Sequence, residues 1–264
     1  MTPVAIVTGA SAGIGAELAR VFARNGHTLV LVARREDRLK ALAAELEAGG
    51  ASAPLVLPID LVERDATALI AAALAVRGFE PQYVVNNAGF GLAGRAAARD
   101  RDRLLAMIDL NVRALTDLSL AFIGSLSRHR GGILNVASVA GFLPGPGQAV
   151  YYASKAYVLS FSEALHTELK PKGVRVTTLC PGPVPTEFQA RAGVDARPVP
   201  FVELPAARVA EQGYRGLMQG KRLVLPGLGN KTIVLLARVL PRYLVLAAAD
   251  RRQRARLASG APNQ

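Results

Sequence analysis

The chain has 264 residues, 51% hydrophobic and 20% charged, with no tryptophan, a balance that suits an aliphatic core and excludes an extended disordered protein. Cys180 is the single cysteine, so an internal disulfide and a multi-cysteine metal site are excluded, and the residue reads as a small buried hydrophobe in a reducing, cytoplasmic setting. The formal charge is +12, but nine basic residues and one acid lie from Lys221 onward; the body is only mildly basic, and without an RNA-binding aromatic signature or a helix-turn-helix pattern no nucleic-acid partner is expected.

Met1 leads directly into an apolar run and a glycine motif, with none of the charged and apolar segments that direct secretion. Strand-length apolar runs at 4–7, 28–33, 53–59, 83–86, 132–137, 175–179 and 223–225 alternate with segments of helical period at 13–25, 37–48, 65–76, 100–127, 149–170 and 205–218. Most of the runs are continuously hydrophobic, as strands covered on both faces require. The pattern predicts an α/β fold: a doubly wound parallel sheet of about seven strands with helices on both faces, and a ligand crevice at the strands' carboxyl ends. One catalytic domain is expected over 1–227, with a substrate loop at about 187–205, followed by an amphipathic and basic extension over 228–264.

Immediately after the first run comes Thr8-Gly9-Ala10-Ser11-Ala12-Gly13-Ile14-Gly15, which opens a helix. Glycine permits a tight turn and close backbone approach, while the free amides and positive dipole at a helix start attract a pyrophosphate. A structural turn alone explains many glycine clusters, but strand, turn and helix in this order favour phosphate binding. The second run ends Val32-Ala33-Arg34-Arg35-Glu36. An acid at the position of Arg34 would hold the ribose hydroxyls of NAD, whereas Arg34 and Arg35 suit the 2′-phosphate of NADP; the competing reading is a solvated helix start.

The Gly-x-x-x-Gly-x-Gly spacing resembles the short-chain dehydrogenase/reductase family, and the resemblance runs through nearly the whole chain. Asn86-Asn87-Ala88-Gly89 follows the fourth strand, Asn111 lies in a long helix, Ser138 ends the fifth strand, Tyr151-x-x-x-Lys155 opens the next helix, and Pro181-Gly182 follows the sixth. It implies a Rossmann-type fold and a cofactor, NADP(H), held by Gly9, Ser11, Ala12, Gly13, Ile14 and Gly15 with Arg34 and Arg35. It further implies Asp60 and Leu61 at the adenine, Asn87, Ala88 and Gly89 along the ribose path, and Pro181, Gly182, Val184 and Thr186 at the nicotinamide. Ala12 departs from some NADP-binding relatives, which carry a basic residue there.

Tyr151 and Lys155 are one helical turn apart, so a helix starting near Gln148 projects both from one face. A phenol titrates near about pKa 10, and a neighbouring ammonium is expected to lower that value. The family motif selects Tyr151 over its neighbour Tyr152, and Tyr157 reads as a packing residue. Ser138 can share the substrate oxygen with the phenol. The resemblance gives Lys155 a second task on the nicotinamide ribose and gives Asn111 a water for a proton relay through Lys155. Together these residues predict an NADPH-dependent oxidoreductase interconverting a carbonyl and a secondary alcohol. His27, His129 and His166 have no metal spacing, read as surface or capping groups, and the chemistry needs no metal.

Three other functions are weighed. An epimerase or dehydratase on this fold would carry an extra substrate domain, and a serine hydrolase would carry a Gly-x-Ser-x-Gly elbow. A nucleotide-sensing binding protein without turnover is the alternative, disfavoured by the complete Asn-Ser-Tyr-Lys set. Segments 141–147 and 187–204 are expected to border the pocket through Phe142, Leu143, Phe188, Val199, Phe201 and Val202, which favour a bulky apolar substrate. The helices at 100–127 and 149–170 match those that pair subunits in the family, implying a homo-oligomer, a tetramer first. In the extension, too broken to span a membrane, 231–242 reads as a helix with Lys231, Arg238 and Arg242 on one face, Ile233, Leu236, Ala237 and Leu240 on another, and Pro241 at its end. It can lie over the substrate entrance, on a neighbouring subunit or on an anionic membrane surface. Packing with the character of a pocket lid is the expectation.

Overall fold

The computed structural model describes residues 1–193 and 202–258, the stretch 252–258 as backbone. Its centre is a seven-stranded parallel sheet in the order β3-β2-β1-β4-β5-β6-β7. The strands are β1 (Thr2–Thr8), β2 (Thr28–Val32), β3 (Leu55–Leu57), β4 (Phe79–Asn86), β5 (Gly132–Val136), β6 (Arg175–Leu179) and β7 (Leu223–Val224). Successive side chains of a strand point to opposite faces, and the apolar runs fill both. Ala5, Val7, Leu29, Leu31, Tyr83, Val85 and Leu134 meet α1 (Gly13–Arg24), α2 (Glu36–Ala48) and α9 (Ala206–Met218) on one side. Val4, Ile6, Val30, Val32, Val84 and Ile133 meet α3 (Ala66–Val76), α5 (Leu115–Ala121), α6 (Ile123–Arg128) and α7 (Ala149–Leu169) on the other. Each such side chain contributes about 1.5–3 kcal/mol of burial.

Three expectations are corrected. The edge strand expected over 53–59 shrinks to β3, because only Val30–Val32 of β2 offers it a ladder. The helix expected over 100–127 is broken into α4 (Arg101–Ile108), a wider π-helical turn (Asp109–Ala114), α5 and α6, with Phe122 leaving helical geometry at φ −109°. The π-helical turn carries the buried Asn111. The third correction lies in the extension, which forms α10 (Leu228–Val239) and α11 (Arg242–Ala258) on either side of Pro241, with Leu240 extended as the residue before a proline prefers. Asn230 fixes the docked face of α10 by donating to the carbonyls of Pro226 (2.7 Å) and Val202 (3.0 Å). That rotation buries Val234, half-buries Ile233 and Ala237, and leaves Leu236 (50%) and Leu240 (44%) exposed, so the apolar face read from the sequence is only half right.

The histidines are structural. His27 sits half-buried in an aromatic cluster with Phe22, Tyr83 and Tyr214, His129 contacts Glu80, and His166 reaches the Val176 carbonyl. No described helix is long and apolar enough to cross a membrane, and no group of three or more metal-ligating side chains occurs among the described residues.

Candidate active site

At the end of β1 the chain turns through Gly9 at φ +65° and enters α1 at Gly13, φ +58°. A Cβ on Gly9 would lie 2.8 Å from Asn87 Nδ2 and 2.9 Å from Ala88 Cα, and one on Gly15 would lie 2.2 Å from the Gly9 carbonyl oxygen. The turn therefore admits only glycine at these points and leaves bare backbone facing the cleft. Thr8 ties it to β4: its hydroxyl donates to the Val85 carbonyl (3.1 Å) and accepts from the amides of Asn87 (3.0 Å) and Ala88 (3.1 Å). Asn87 returns its side-chain amide to the carbonyls of Thr8 (3.0 Å) and Gly9 (3.3 Å).

Arg34 and Arg35 leave the end of β2 beside this turn. Arg34 is exposed and lies 3.5 Å from the Asp60 carboxylate. Arg35 contacts the Ser11 hydroxyl at 3.2 Å and reaches across the cleft to Glu187 at 2.9 Å, in the short α8 (Glu187–Arg191). Arg35 and Arg191 hold the Glu187 carboxyl below its ordinary range, the Arg35 hydrogen bond foremost.

Ser138, Tyr151 and Lys155 come together where β5 and α7 meet. The Ser138 hydroxyl accepts from the Ala140 amide (3.1 Å), leans on the Pro181 carbonyl (3.4 Å) and lies beside the Tyr151 phenol. Helix α7 starts immediately after Gln148, as the spacing predicts. Lys155 donates from Nζ to the Val136 carbonyl (2.8 Å) and lies 6.0 Å from the Tyr151 ring centre. Burial pushes Tyr151 up to about 12, against the weaker opposing pull of the neighbouring Ser138 hydroxyl, and pushes Lys155 down to about 8. The expected lowering of the phenol by its lysine is not seen, because burial disfavours the charged form of either group. Tyr151 keeps some exposure towards the open cleft, from which a substrate oxygen can approach it. Cys180 lies fully buried beside them, its thiol pushed up to about 12 by the same desolvation, which makes it inert.

Asn111 stands behind this group. Its side chain accepts from the Phe90 amide (3.0 Å) and donates to the Phe90 carbonyl (3.0 Å) and the Ser154 hydroxyl (3.1 Å). The side-chain amide thus fixes the loop at Phe90 and does not line the cleft.

The cleft encloses about 1150 Å³ and is lined by every residue read from the sequence as catalytic or cofactor-binding except Gly15 and Asn111. Leu143 and Phe188 line it as expected, whereas Phe142 and Val202 do not; Val199 and Phe201 lie outside the described residues. Phe142 instead meets the Arg238 guanidinium at 5.3 Å. Sequence reasoning missed Phe90, Leu110, Tyr152 and the α11 residues Val245, Ala248 and Ala249 as walls, and Arg103 and Arg191 at the rim. None of these belongs to a local motif, and only the fold brings them together.

The family model for short chain dehydrogenases matches residues 3–196. The chain belongs to the short-chain dehydrogenase/reductase family. Within that family it is similar to a sulfoacetaldehyde reductase of Chromohalobacter salexigens, 38% identical over 81% of this chain and 87% of that one. A short-chain dehydrogenase from Sphingobium yanoikuyae in complex with NADPH is similar over 99% of this chain and 98% of the other, at 32% identity and TM-score 0.78. The bulky-bulky ketone specific alcohol dehydrogenase from Comamonas testosteroni is similar over 100% of this chain and 96% of the other, at 26% identity and TM-score 0.74. This short-chain dehydrogenase/reductase is therefore an oxidoreductase whose relatives use nicotinamide cofactors.

Proposed function

We propose that the protein is an NADPH-dependent reductase of ketones, working reversibly as a secondary-alcohol dehydrogenase, with residues 1–227 as its catalytic unit and 228–264 as an extension. The observation that supports this reading is the Tyr151 phenol, beside Ser138 and held protonated by burial, in a cleft whose glycine turn leaves bare backbone for a dinucleotide. Gly9, Ser11, Ala12, Gly13 and Ile14 would hold the pyrophosphate, Arg34 and Arg35 the 2′-phosphate, Asp60 and Leu61 the adenine, and Asn87, Ala88 and Gly89 the ribose path. Pro181, Gly182, Val184 and Thr186 would border the nicotinamide.

A reduced nicotinamide, when bound there, would supply hydride to the carbonyl carbon. Tyr151 gives its hydroxyl proton to the carbonyl oxygen, and Ser138 stabilises the charge gathering on that oxygen. Lys155 offers its ammonium behind the phenol and a donor to the ribose, while Asn111 acts as a positioning residue that holds Phe90 and α7 in place. The apolar walls, Leu143, Phe188 and the α11 residues, support a bulky apolar substrate, as does the similarity to the bulky-ketone enzyme. Arg103 and Arg191 at the rim support a second reading, a small anionic carbonyl of the kind named for the sulfoacetaldehyde reductase.

Purified protein with NADPH and a panel of bulky ketones and anionic aldehydes decides among these. Substrate-dependent loss of NADPH absorbance is expected, faster with bulky ketones. Preference for the anionic aldehydes installs the second reading, and tight NADPH binding without turnover on any member installs a nucleotide sensor.

NADPH is expected to outcompete NADH, and Arg34→Asp to shift the ratio of kcat/KM values towards NADH by about tenfold or more, the scale of one lost charge-assisted contact. The introduced carboxylate would also stand beside Asp60, adding repulsion against the phosphate. Kinetics with both cofactors read this, and a parent that prefers NADH removes the phosphate role of Arg34 and Arg35. Homo-oligomerisation fits the exposed Leu105, Ile108, Leu120 and Tyr157 on α4, α5 and α7. A tetramer is expected in light scattering, and a monomer at working concentration rejects it.

A further inference from the structure

Helix α10 is apolar on two sides. Its inner stripe, Asn230, Ile233, Val234 and Ala237, docks on the body. The opposite stripe should be polar on a surface helix. Instead Leu228 (79%), Leu235 (62%) and Val239 (74%) recur at helical spacing on the solvent side, and the apolar surface continues into α11 through Tyr243 (69%) and Leu244. Lys231, Arg238, Arg242 and Arg251 accompany this surface, and Arg252, Arg254 and Arg256 follow in the sequence, with Asp250 the one acid after Lys221.

We propose that the outer face of α10 and the start of α11 dock the protein on an anionic lipid surface. A leucine-rich stripe bordered by cations matches the boundary between acyl chains and acidic headgroups, where apolar side chains enter and lysine and arginine stems reach back to phosphate. A second copy fits less well. A two-fold contact through this patch would set Lys231, Arg238, Arg242 and Arg251 against their own counterparts with few acids to offset them. The placement also bears on the cleft, because Val245, Ala248 and Ala249 of α11 line it while Tyr243 and Leu244 of the same helix face outward. Docking then puts the cleft's α11 wall at the lipid boundary, where an apolar carbonyl compound accumulates. This substrate side rests on the ketone-reductase reading; the docking does not.

The test is co-flotation of the full chain with phosphatidylcholine vesicles, with and without about 30% phosphatidylglycerol. Binding to the anionic vesicles in about 0.1 M salt is expected, falling at least about tenfold in about 0.5 M salt and at least about tenfold on phosphatidylcholine alone. The double variant Leu235→Glu/Val239→Glu, altered only at exposed side chains, should lose at least about tenfold of the partitioning. Its melting temperature, NADPH affinity and turnover of a water-soluble ketone should match the parent. Absence of vesicle binding, equal binding to both vesicle types, or full binding by the double variant overturns the proposal. A parent that ignores vesicles but loses subunits in light scattering on the double substitution assigns the patch to a second copy, which also overturns it. Anionic-vesicle binding by a parent that reduces no ketone supports the docking and sinks the reductase reading separately.

Discussion

Replacing Tyr151 by phenylalanine is expected to lower turnover by at least about a hundredfold while fold and NADPH affinity stay near the parent values. The substitution removes one hydroxyl, and with it the proton for the substrate oxygen and the polar neighbour of Ser138. Stability should change by only about 1 kcal/mol, because Ser138 keeps its contacts with the Ala140 amide and the Pro181 carbonyl. Tyr152 cannot take over without a large movement. Its ring centre lies 6.1 Å from that of Tyr151 and is wedged against Gly145, where even a Cβ would come within 2.3 Å. Steady-state kinetics on the best ketone and a fluorescence titration with NADPH read the two halves of the expectation. Near-parent kcat sinks the role given to Tyr151, and a lost cofactor affinity recasts it as a binding residue.

Lys155→Met should separate function from stability in the opposite sense. Turnover is expected to fall at least about a hundredfold and NADPH affinity to weaken, because an ammonium serves both the phenol and the ribose in the proposed mechanism. Stability should rise. Burial lowers the lysine from 10.5 to about 8, which corresponds to about 3 kcal/mol working against the charged form in the fold. Methionine escapes that penalty but leaves the Val136 carbonyl without its donor, so the net gain is about 1–2 kcal/mol, or about 2–8 °C in Tm. The sign follows from linkage. A base whose folded pKa is depressed is destabilising at every pH below about 8, and the penalty fades as pH rises from about 8 to 10.5, where the unfolded chain also sheds its proton. The methionine variant should therefore lead most at neutral pH and lose its lead near pH 10.5. Calorimetry across that window checks it, and a variant that melts below the parent at pH 7 shows that the lysine's contacts outweigh its desolvation.

The motifs legible in the sequence share a physical trait: each sits at the end of one strand and depends on its immediate neighbours. Gly9 and Gly13 announce a turn because their backbone angles exclude other residues, and Gln148 announces the start of α7 because Tyr151 and Lys155 must share a face. The central strands could be found because they are buried on both sides and read mostly as apolar runs. What escaped the sequence depends on distant partners. The break at Asp109–Ala114 goes with an Asn111 amide that grips Phe90, 21 residues away. The face of α10 turns on Asn230 meeting Val202, 28 residues away. The upward push on the phenol escaped for the same reason: adjacency to Lys155 is visible in the spacing, whereas burial is set by the whole cleft.

The chain divides its labour by position. The glycine turn and the side chains proposed to react come from the ends of β1, β4, β5 and β6 and from α7, which are held by shared ladders and packed faces. Part of the wall that meets a substrate comes from late segments, α8 and α11, which lie outside those ladders. Substitutions there can change the shape and polarity of the chamber without moving an atom of the acid or its supports. Divergence of such a molecule is therefore cheap in selectivity and dear in chemistry: one framework can be inherited unchanged while its clientele is exchanged, which is the pattern expected when relatives named for sulfoacetaldehyde and for bulky ketones share a single architecture.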